Sequence, residues 1–118
     1  MRILVVDDEP LVRRLIADDL VAEGHDVLEA GDADDAIRSV LANEPVQLVV
    51  TDVRMPGSMD GFGLARWLRA RQPAPKILVI SGFAGEEARG ARSYDAYLGK
   101  PFTGRAFMKA VDRVIGEG

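Results

Sequence analysis

The sequence predicts an alternating α/β domain: a five-stranded parallel sheet with helices on both faces. Three observations carry that prediction. Short β-rich runs alternate with helical stretches five times, with no linker, internal repeat or low-complexity segment between them. The least interrupted apolar segment, residues 46–51, suits a central parallel strand covered on both faces. Finally, two apolar runs end in aspartate: Asp7-Asp8 closes residues 3–6, and Asp52 closes 46–51. Wound α/β sheets present functional groups where parallel strands end, so three carboxylates should gather at one rim.

The elements follow in order. Residues 2–6 read as a strand and 10–22 as a helix, with Val12, Leu15, Ile16 and Leu20 spaced for one face, Pro10 in the first turn and Gly24 at the stop. Residues 25–30 form a second strand. A second helix covers 32–42, with Asp32 as N-cap and Ala33, Ala36, Ile37, Val40 and Leu41 inward. After the strand 46–51 comes a loop, 54–60, then a helix from Gly61 to about Arg71 with Leu64 and Leu68 inside. Gln72-Pro73-Ala74-Pro75 breaks the chain before a fourth strand, 76–80, ending at Ser81. Residues 82–93 contain three glycines and little apolar surface beyond Phe83 and alanines, so any helix there should be short or loose. A short fifth strand, 96–98, leads to a last helix capped by Thr103, with Phe107, Ala110, Val111 and Val114 as its stripe.

Composition narrows the function. At 118 residues the chain is one domain, and its 47% apolar and 29% charged residues are ordinary for a globular protein. A net charge of −4 argues against general nucleic-acid binding, and no run is long enough for a membrane span. The N-terminus enters a strand directly, without a signal peptide, and the lack of cysteine fits a reducing cytoplasm. His25 reads as a solvated strand-edge residue, Trp67 as partial core, and Arg66, Arg69 and Arg71 as complements to a helix C-terminus.

The clustered carboxylates repel one another and raise their own pKa values, unless a hard divalent cation sits among the oxygens. Taken singly, each piece has a plainer reading. Asp-Asp can be a solvated helix start, Lys-Pro a loop and Ser-Gly a turn. Together, Asp7, Asp8, Asp52, Ser81 and Lys100 all follow strands at the same sheet edge, and five such coincidences outweigh the plainer readings.

This set resembles the receiver domain of two-component response regulators, the CheY-like group. The matching stretches are Val5-Val6-Asp7-Asp8-Glu9, Val50-Thr51-Asp52, Met55-Pro56 with Asp60-Gly61, Ile80-Ser81-Gly82 and Lys100-Pro101-Phe102. The resemblance implies a flavodoxin-like strand order, 2-1-3-4-5, and one receiver domain over residues 1–118. It implies that Asp52 is the phosphoacceptor, and that Mg²⁺ (or Mn²⁺) is held by Asp8, Asp52 and the main-chain carbonyl of Arg54, with Asp7 acting through water. Lys100 and Ser81 would contact phosphoryl oxygens, and Pro101 would follow a cis peptide. Ser81 and Tyr97 would form the switch.

The implied donor is a sensor histidine kinase or a histidine phosphotransfer protein, and the implied output is an unknown downstream protein bound by a monomer or weak dimer. Docking is expected through the first helix and the loop after the fifth strand, at Leu11, Arg14, Phe102 and Thr103. Arg54 and Phe83 sit where side chains can screen the acyl phosphate and tune its lifetime. The chain ends with its last helix, as in a stand-alone receiver or one cut from a longer protein such as a hybrid kinase. Two departures stand out. The loop 55–61 is one residue longer than the commonest receiver form, and the stretch from Ser81 to Lys100 is a few residues shorter.

Competing readings are weighed by chemistry. A Mg²⁺-dependent aspartyl phosphatase often has a second acid two residues after its nucleophile, where this chain has Arg54. A flavodoxin-like cofactor binder would need to seat a phosphate against Asp7-Asp8-Glu9, which repels it. A pseudo-receiver, binding partners without phosphorylation, does not need the full residue set found here.

Overall fold

The computed structural model describes residues 1–43, 45–83, 85 and 93–116. Its elements run β1 (Arg2–Val6), α1 (Pro10–Ala22), β2 (Asp26–Ala30), α2 (Ala33–Ala42), β3 (Leu48–Asp52), α3 (Gly61–Arg69), β4 (Lys76–Ser81), β5 (Ala96–Gly99) and α4 (Gly104–Gly116). All strand pairs are parallel, as the sequence predicts, in the order β2-β1-β3-β4-β5 that the family resemblance implies. The expectation of a short or loose helix within 82–93 falls largely on residues outside those described.

The two-residue period of a strand divides the core into two layers. Leu4, Val6, Val49, Ile77 and Val79 face α2 and α3, where they meet Ala36, Val40, Phe62, Leu64 and Leu68. Ile3, Val5, Leu48, Val50, Leu78 and Ile80 face α1 and α4, against Ile16, Leu20, Phe107, Val111 and Val114. The three central strands are therefore apolar on both faces, and β2 and β5 close the edges with half-buried residues.

Asp32 and Thr103 cap their helices as the sequence suggests, and Asp60 is a further cap. Asp32 accepts the Asp35 N–H at 2.8 Å, Asp60 accepts that of Gly63 at 2.9 Å, and Thr103 Oγ1 accepts that of Ala106 at 3.0 Å. Gly24 ends α1 with φ +91°, a conformation that β-carbons disfavour.

Several expectations need correction. Leu15 and Leu41 are 60% and 54% exposed, because each lies one residue, about 100° of helix rotation, from the buried stripe of Ile16 or Val40. The helix α3 stops at Arg69, and the guanidinium of Arg71 instead stacks over Trp67 at 4.8 Å. Strand β2 begins at Asp26, and His25 precedes it half-buried, with Nδ1 3.3 Å from the N-terminal amine. Strands β3 and β4 include Asp52 and Ser81 themselves, because Asp52 pairs with Ile80 and Ser81 with Gly99. No described helix is long and apolar enough to cross a membrane.

Candidate functional site

The strand order reverses between β1 and β3, the position where open α/β sheets hold their ligands. Val6 pairs with Thr51, so Asp7 and Asp52 come level at the C-terminal edge, one on each side of that point. Oxygens of Asp7, Asp8 and Asp52 lie within 4.8 Å of one another, the one such group of potential metal ligands among the described residues. Asp7 is buried, Asp8 is exposed, and the Asp52 side chain keeps 11% of its surface open. Each buried carboxylate is oriented by the main chain: Asp7 Oδ1 accepts the Glu9 N–H at 2.9 Å, and Asp52 Oδ1 accepts that of Val53 at 2.8 Å.

Lys100 joins them from across the sheet. Its Nζ donates to Asp52 Oδ2 at 2.9 Å and lies 3.7 Å from Asp7 Oδ2. Its main-chain N–H donates to Ser81 O at 2.7 Å, which ties the end of β5 to the end of β4, and the Lys100–Pro101 peptide is cis as anticipated. Ser81 is buried, and its Oγ accepts the Phe83 N–H at 3.2 Å. Tyr97, half-buried on β5, shares with Ser81, Gly82, Phe83 and Lys100 a cleft between the ends of β4 and β5. The guanidinium carbon of Arg54 sits 3.8 Å from the centroid of the Phe83 ring, so these two residues bridge the loops that follow β3 and β4.

Burial pushes the Asp7 carboxyl above its ordinary pKa, and the charges of Asp52 and Asp8 add to that; the Glu9 N–H and Lys100 oppose it without cancelling it. Burial alone would lower Lys100. The hydrogen bond and charge of Asp52, with Asp7 and Glu9 behind, overcome burial and hold the ammonium above its usual value.

Gly61 explains how close the start of α3 comes to this centre. A β-carbon there would overlap the carbonyl oxygen of Asp52 and lie 2.8 Å from its carbonyl carbon. The Gly61 N–H donates to Val53 O at 2.8 Å instead. Arg13, which the sequence reading did not single out, also contacts the site. Its Nη1 donates to Asp7 O at 2.8 Å, and its Nε pairs with Glu29 on β2 at 3.1 Å. The signal for it was a cation beside Val12 on a face otherwise turned to the sheet.

Leu11 is 74% exposed on α1, and Phe102 lines a groove with Glu9, Val12, Lys100 and Pro101. Arg14 is engaged with Glu29 at 2.8 Å and Asp18 at 3.7 Å, and Thr103 caps α4.

A family model described as the response regulator receiver domain matches residues 3–112. The chain belongs to this family. The receiver is 39% identical to the transcriptional regulatory protein AruR of Pseudomonas aeruginosa, over 97% of this chain and 49% of that protein. It is 35% identical to a chemotaxis protein CheY homolog of Campylobacter jejuni, over 100% of this chain and 95% of that one. The chain thus spans about half the length of AruR, and 24% of the response regulator protein FleR of the same Pseudomonas species. Among solved structures, TrrA of Thermotoga maritima in complex with Mg²⁺-BeF superposes with TM-score 0.87 at 28% identity, covering 96% of this chain and 97% of that one. The receiver domain of NtrX from Brucella abortus gives 0.88 at 32%, covering 98% and 99%. The fold and the two-component family expected from the sequence are therefore correct.

The donor set suits a divalent cation of the Mg²⁺ type. It offers carboxylate oxygens without sulfur or imidazole, and Mg²⁺ is characteristically bound by one or two carboxylates together with water and phosphate oxygens.

Proposed function

We propose that this receiver accepts a phosphoryl group on Asp52 from a phosphohistidine, on a sensor histidine kinase or a histidine phosphotransfer protein, and that the product changes its binding to a downstream protein. The observation that carries this reading is the Lys100 ammonium 2.9 Å from Asp52 Oδ2 inside the carboxylate cluster. In the transfer an Asp52 oxygen attacks phosphorus, the P–N bond to the donor imidazole breaks, and the imidazole leaves with the electron pair and takes up a proton. The product is an acyl phosphate. In the slow self-hydrolysis, water attacks phosphorus, the P–O bond to Asp52 breaks, and inorganic phosphate departs. Such transfers depend on positioning and charge neutralisation, so no histidine base is needed on this chain.

Asp8, Asp52 and the Arg54 carbonyl would hold Mg²⁺ (or Mn²⁺), with Asp7 acting through water; the ion's contribution is to neutralise the clustered oxygens. Lys100 exchanges its contact with Asp52 for a phosphoryl oxygen, and the Ser81 hydroxyl hydrogen-bonds another. Tyr97, beside Ser81 in the cleft, is the switch residue in this reading. Arg54, stacked on Phe83, screens the acyl phosphate from water and sets its lifetime. Leu11 and the groove at Phe102 receive the phosphodonor, with Arg14 and Thr103 at their margin. We place this single receiver unit in the cytoplasm, as a monomer or weak dimer.

Incubation with acetyl phosphate and Mg²⁺, read by intact mass, tests the reading. Wild type should gain one phosphoryl group and Asp52→Asn none. Failure of the wild type to gain an adduct would sink the proposal in favour of a pseudo-receiver, and an adduct that persists in Asp52→Asn would move the acceptor elsewhere. Arg54→Ala and Phe83→Ala should each shorten the lifetime of the adduct; unchanged decay in both would remove the screening role.

A further inference from the structure

Tyr97 is not isolated. Tyr94, in the approach to β5, stands between it and α3: the Tyr94 and Tyr97 ring centroids are 5.8 Å apart at 44°, and those of Tyr94 and Phe62 are 6.3 Å apart at 28°. Phe62 is buried in the second position of α3, one residue after the Gly61 that packs on the Asp52 carbonyl. The main chain around Tyr94 is also held. Asp95 N–H donates to Ile77 O at 2.9 Å, Asp95 Oδ2 accepts the Ile77 N–H at 2.8 Å, and Asp95 Oδ1 pairs with Arg69 of α3 at 3.2 Å. Three rings thus run from Phe62, the neighbour of Gly61, to Tyr97, beside a pinned main chain.

Direction matters. Tyr94 precedes β5, while Ser81 pairs with Gly99 near the other end of that strand. Tyr94 and Ser81 therefore lie on opposite sides of Tyr97 along the strand axis, and a Tyr97 ring that leans toward Ser81 must draw away from Tyr94. The cleft beside Ser81 is the space it would enter.

We propose that Tyr94 is a positioning residue that holds the Tyr97 ring in its resting place through the Phe62–Tyr94–Tyr97 stack. An aromatic pair of this kind shifts a two-position equilibrium by about 2- to 12-fold. The effect on signalling rests on the reading of Tyr97 as the switch; the contact itself does not. The apparent affinity for a ligand that selects the other ring position is scaled by the population of that position, so loss of the stack should raise it by about the same factor.

The chain has just two tyrosines, which makes the test direct. This 118-residue chain labelled with 3-fluorotyrosine gives two ¹⁹F resonances, and Tyr94→Phe leaves only that of Tyr97 while keeping the ring. Without Mg²⁺ or beryllofluoride, the Tyr97 signal should coincide in wild type and Tyr94→Phe. It should move or broaden in Tyr94→Ala and in Tyr94→Leu, the second of which keeps apolar volume should the first fold poorly. A Tyr97 signal in Tyr94→Leu identical to that in Tyr94→Phe overturns the proposal. Titration with beryllofluoride in the presence of Mg²⁺ then adds the functional arm. Half-saturation should fall about 2- to 12-fold in Tyr94→Leu relative to Tyr94→Phe, and equal or weaker affinity overturns the assignment of the stack to the resting position. A wild-type Tyr97 signal that ignores Mg²⁺ and beryllofluoride defeats the switch reading instead, and the comparison made without additives still decides the contact.

Discussion

Gly61→Ala probes the construction of the site more sharply than removal of any of its charged groups. The new β-carbon would fall on the carbonyl oxygen of Asp52, 2.8 Å from its carbonyl carbon and 2.9 Å from Val53 Cα, all main-chain atoms that cannot rotate aside. The start of α3 must then lift from β3. Overpacking of this kind costs about 1–3 kcal/mol, and stretching the 2.8 Å Gly61 N–H···O Val53 hydrogen bond adds about 1 kcal/mol. Against this, alanine gains about 0.5–1 kcal/mol over glycine in a helix. The net loss should be about 1–3.5 kcal/mol, a drop of about 0.5–2 M in the urea midpoint at a slope of about 2 kcal/mol per M. Trp67, the one tryptophan and itself on α3, reports the transition by fluorescence. Gly63→Ala is the control, because its β-carbon would meet Met59 Cγ, a side-chain atom able to yield, and the change should stay within about 1 kcal/mol. Mg²⁺ titration by calorimetry should show weaker binding in Gly61→Ala, since Asp52 moves with its carbonyl. A Gly61→Ala midpoint equal to that of wild type, or of Gly63→Ala, would refute the idea that a β-carbon cannot fit against the Asp52 main chain.

Further outcomes follow from the same structure. Lys100→Ala removes the cation that competes for Asp52 and Asp7, so Mg²⁺ should bind more tightly, by about tenfold, while phosphorylation by acetyl phosphate falls; weaker Mg²⁺ binding in calorimetry would contradict the pairing. Leu64→Ala empties a fully buried position and should cost about 2–5 kcal/mol, whereas Leu15→Ala, on the exposed side of α1, should change stability by less than about 0.5 kcal/mol, both by urea unfolding. Asp32→Ala should cost about 1 kcal/mol by loss of the α2 cap. Burial alone would raise Glu29, but hydrogen bonds and charges from Arg14 and Arg13 hold its carboxyl below the ordinary 4.5. Its contribution is therefore complete above pH 4.5 and is lost as pH falls through the lowered folded value. Wild type should be the more stable of wild type and Glu29→Gln at neutral pH, with the gap closing in acid; a gap that widens in acid would reverse the sign.

The parallel α/β fold and the identity of the carboxylate cluster were legible because both rest on local patterns, whereas the strand order came only with the family resemblance. Apolar runs that end in Asp7 and Asp52 place those residues at one edge as soon as the strands are parallel. The exposure of Leu15 and Leu41 was not legible, because apolar spacing alone cannot say how wide a stripe the sheet will cover. Arg13 escaped notice because its partners, Asp7 O and Glu29, are a backbone atom and a residue of another strand, and neither leaves a mark at helical spacing. Tyr94 was hidden for a related reason: its meaning lies in Phe62, 32 positions earlier, and only the packing of α3 against the approach to β5 joins them.

Arg13 also bears on motion. The Asp7 N–H donates to Ala30 O at 3.1 Å, and Arg13 links Asp7 O to Glu29, so the loop carrying Asp7 and Asp8 is fastened to β2 twice. An edge strand is ordinarily among the first parts of a sheet to open. Here it cannot fray at its C-terminal end without loosening the carboxylates, and local opening of β2 and of the site becomes one event. Amide exchange at Ala30, whose carbonyl holds the Asp7 N–H, should then slow whenever the site is filled.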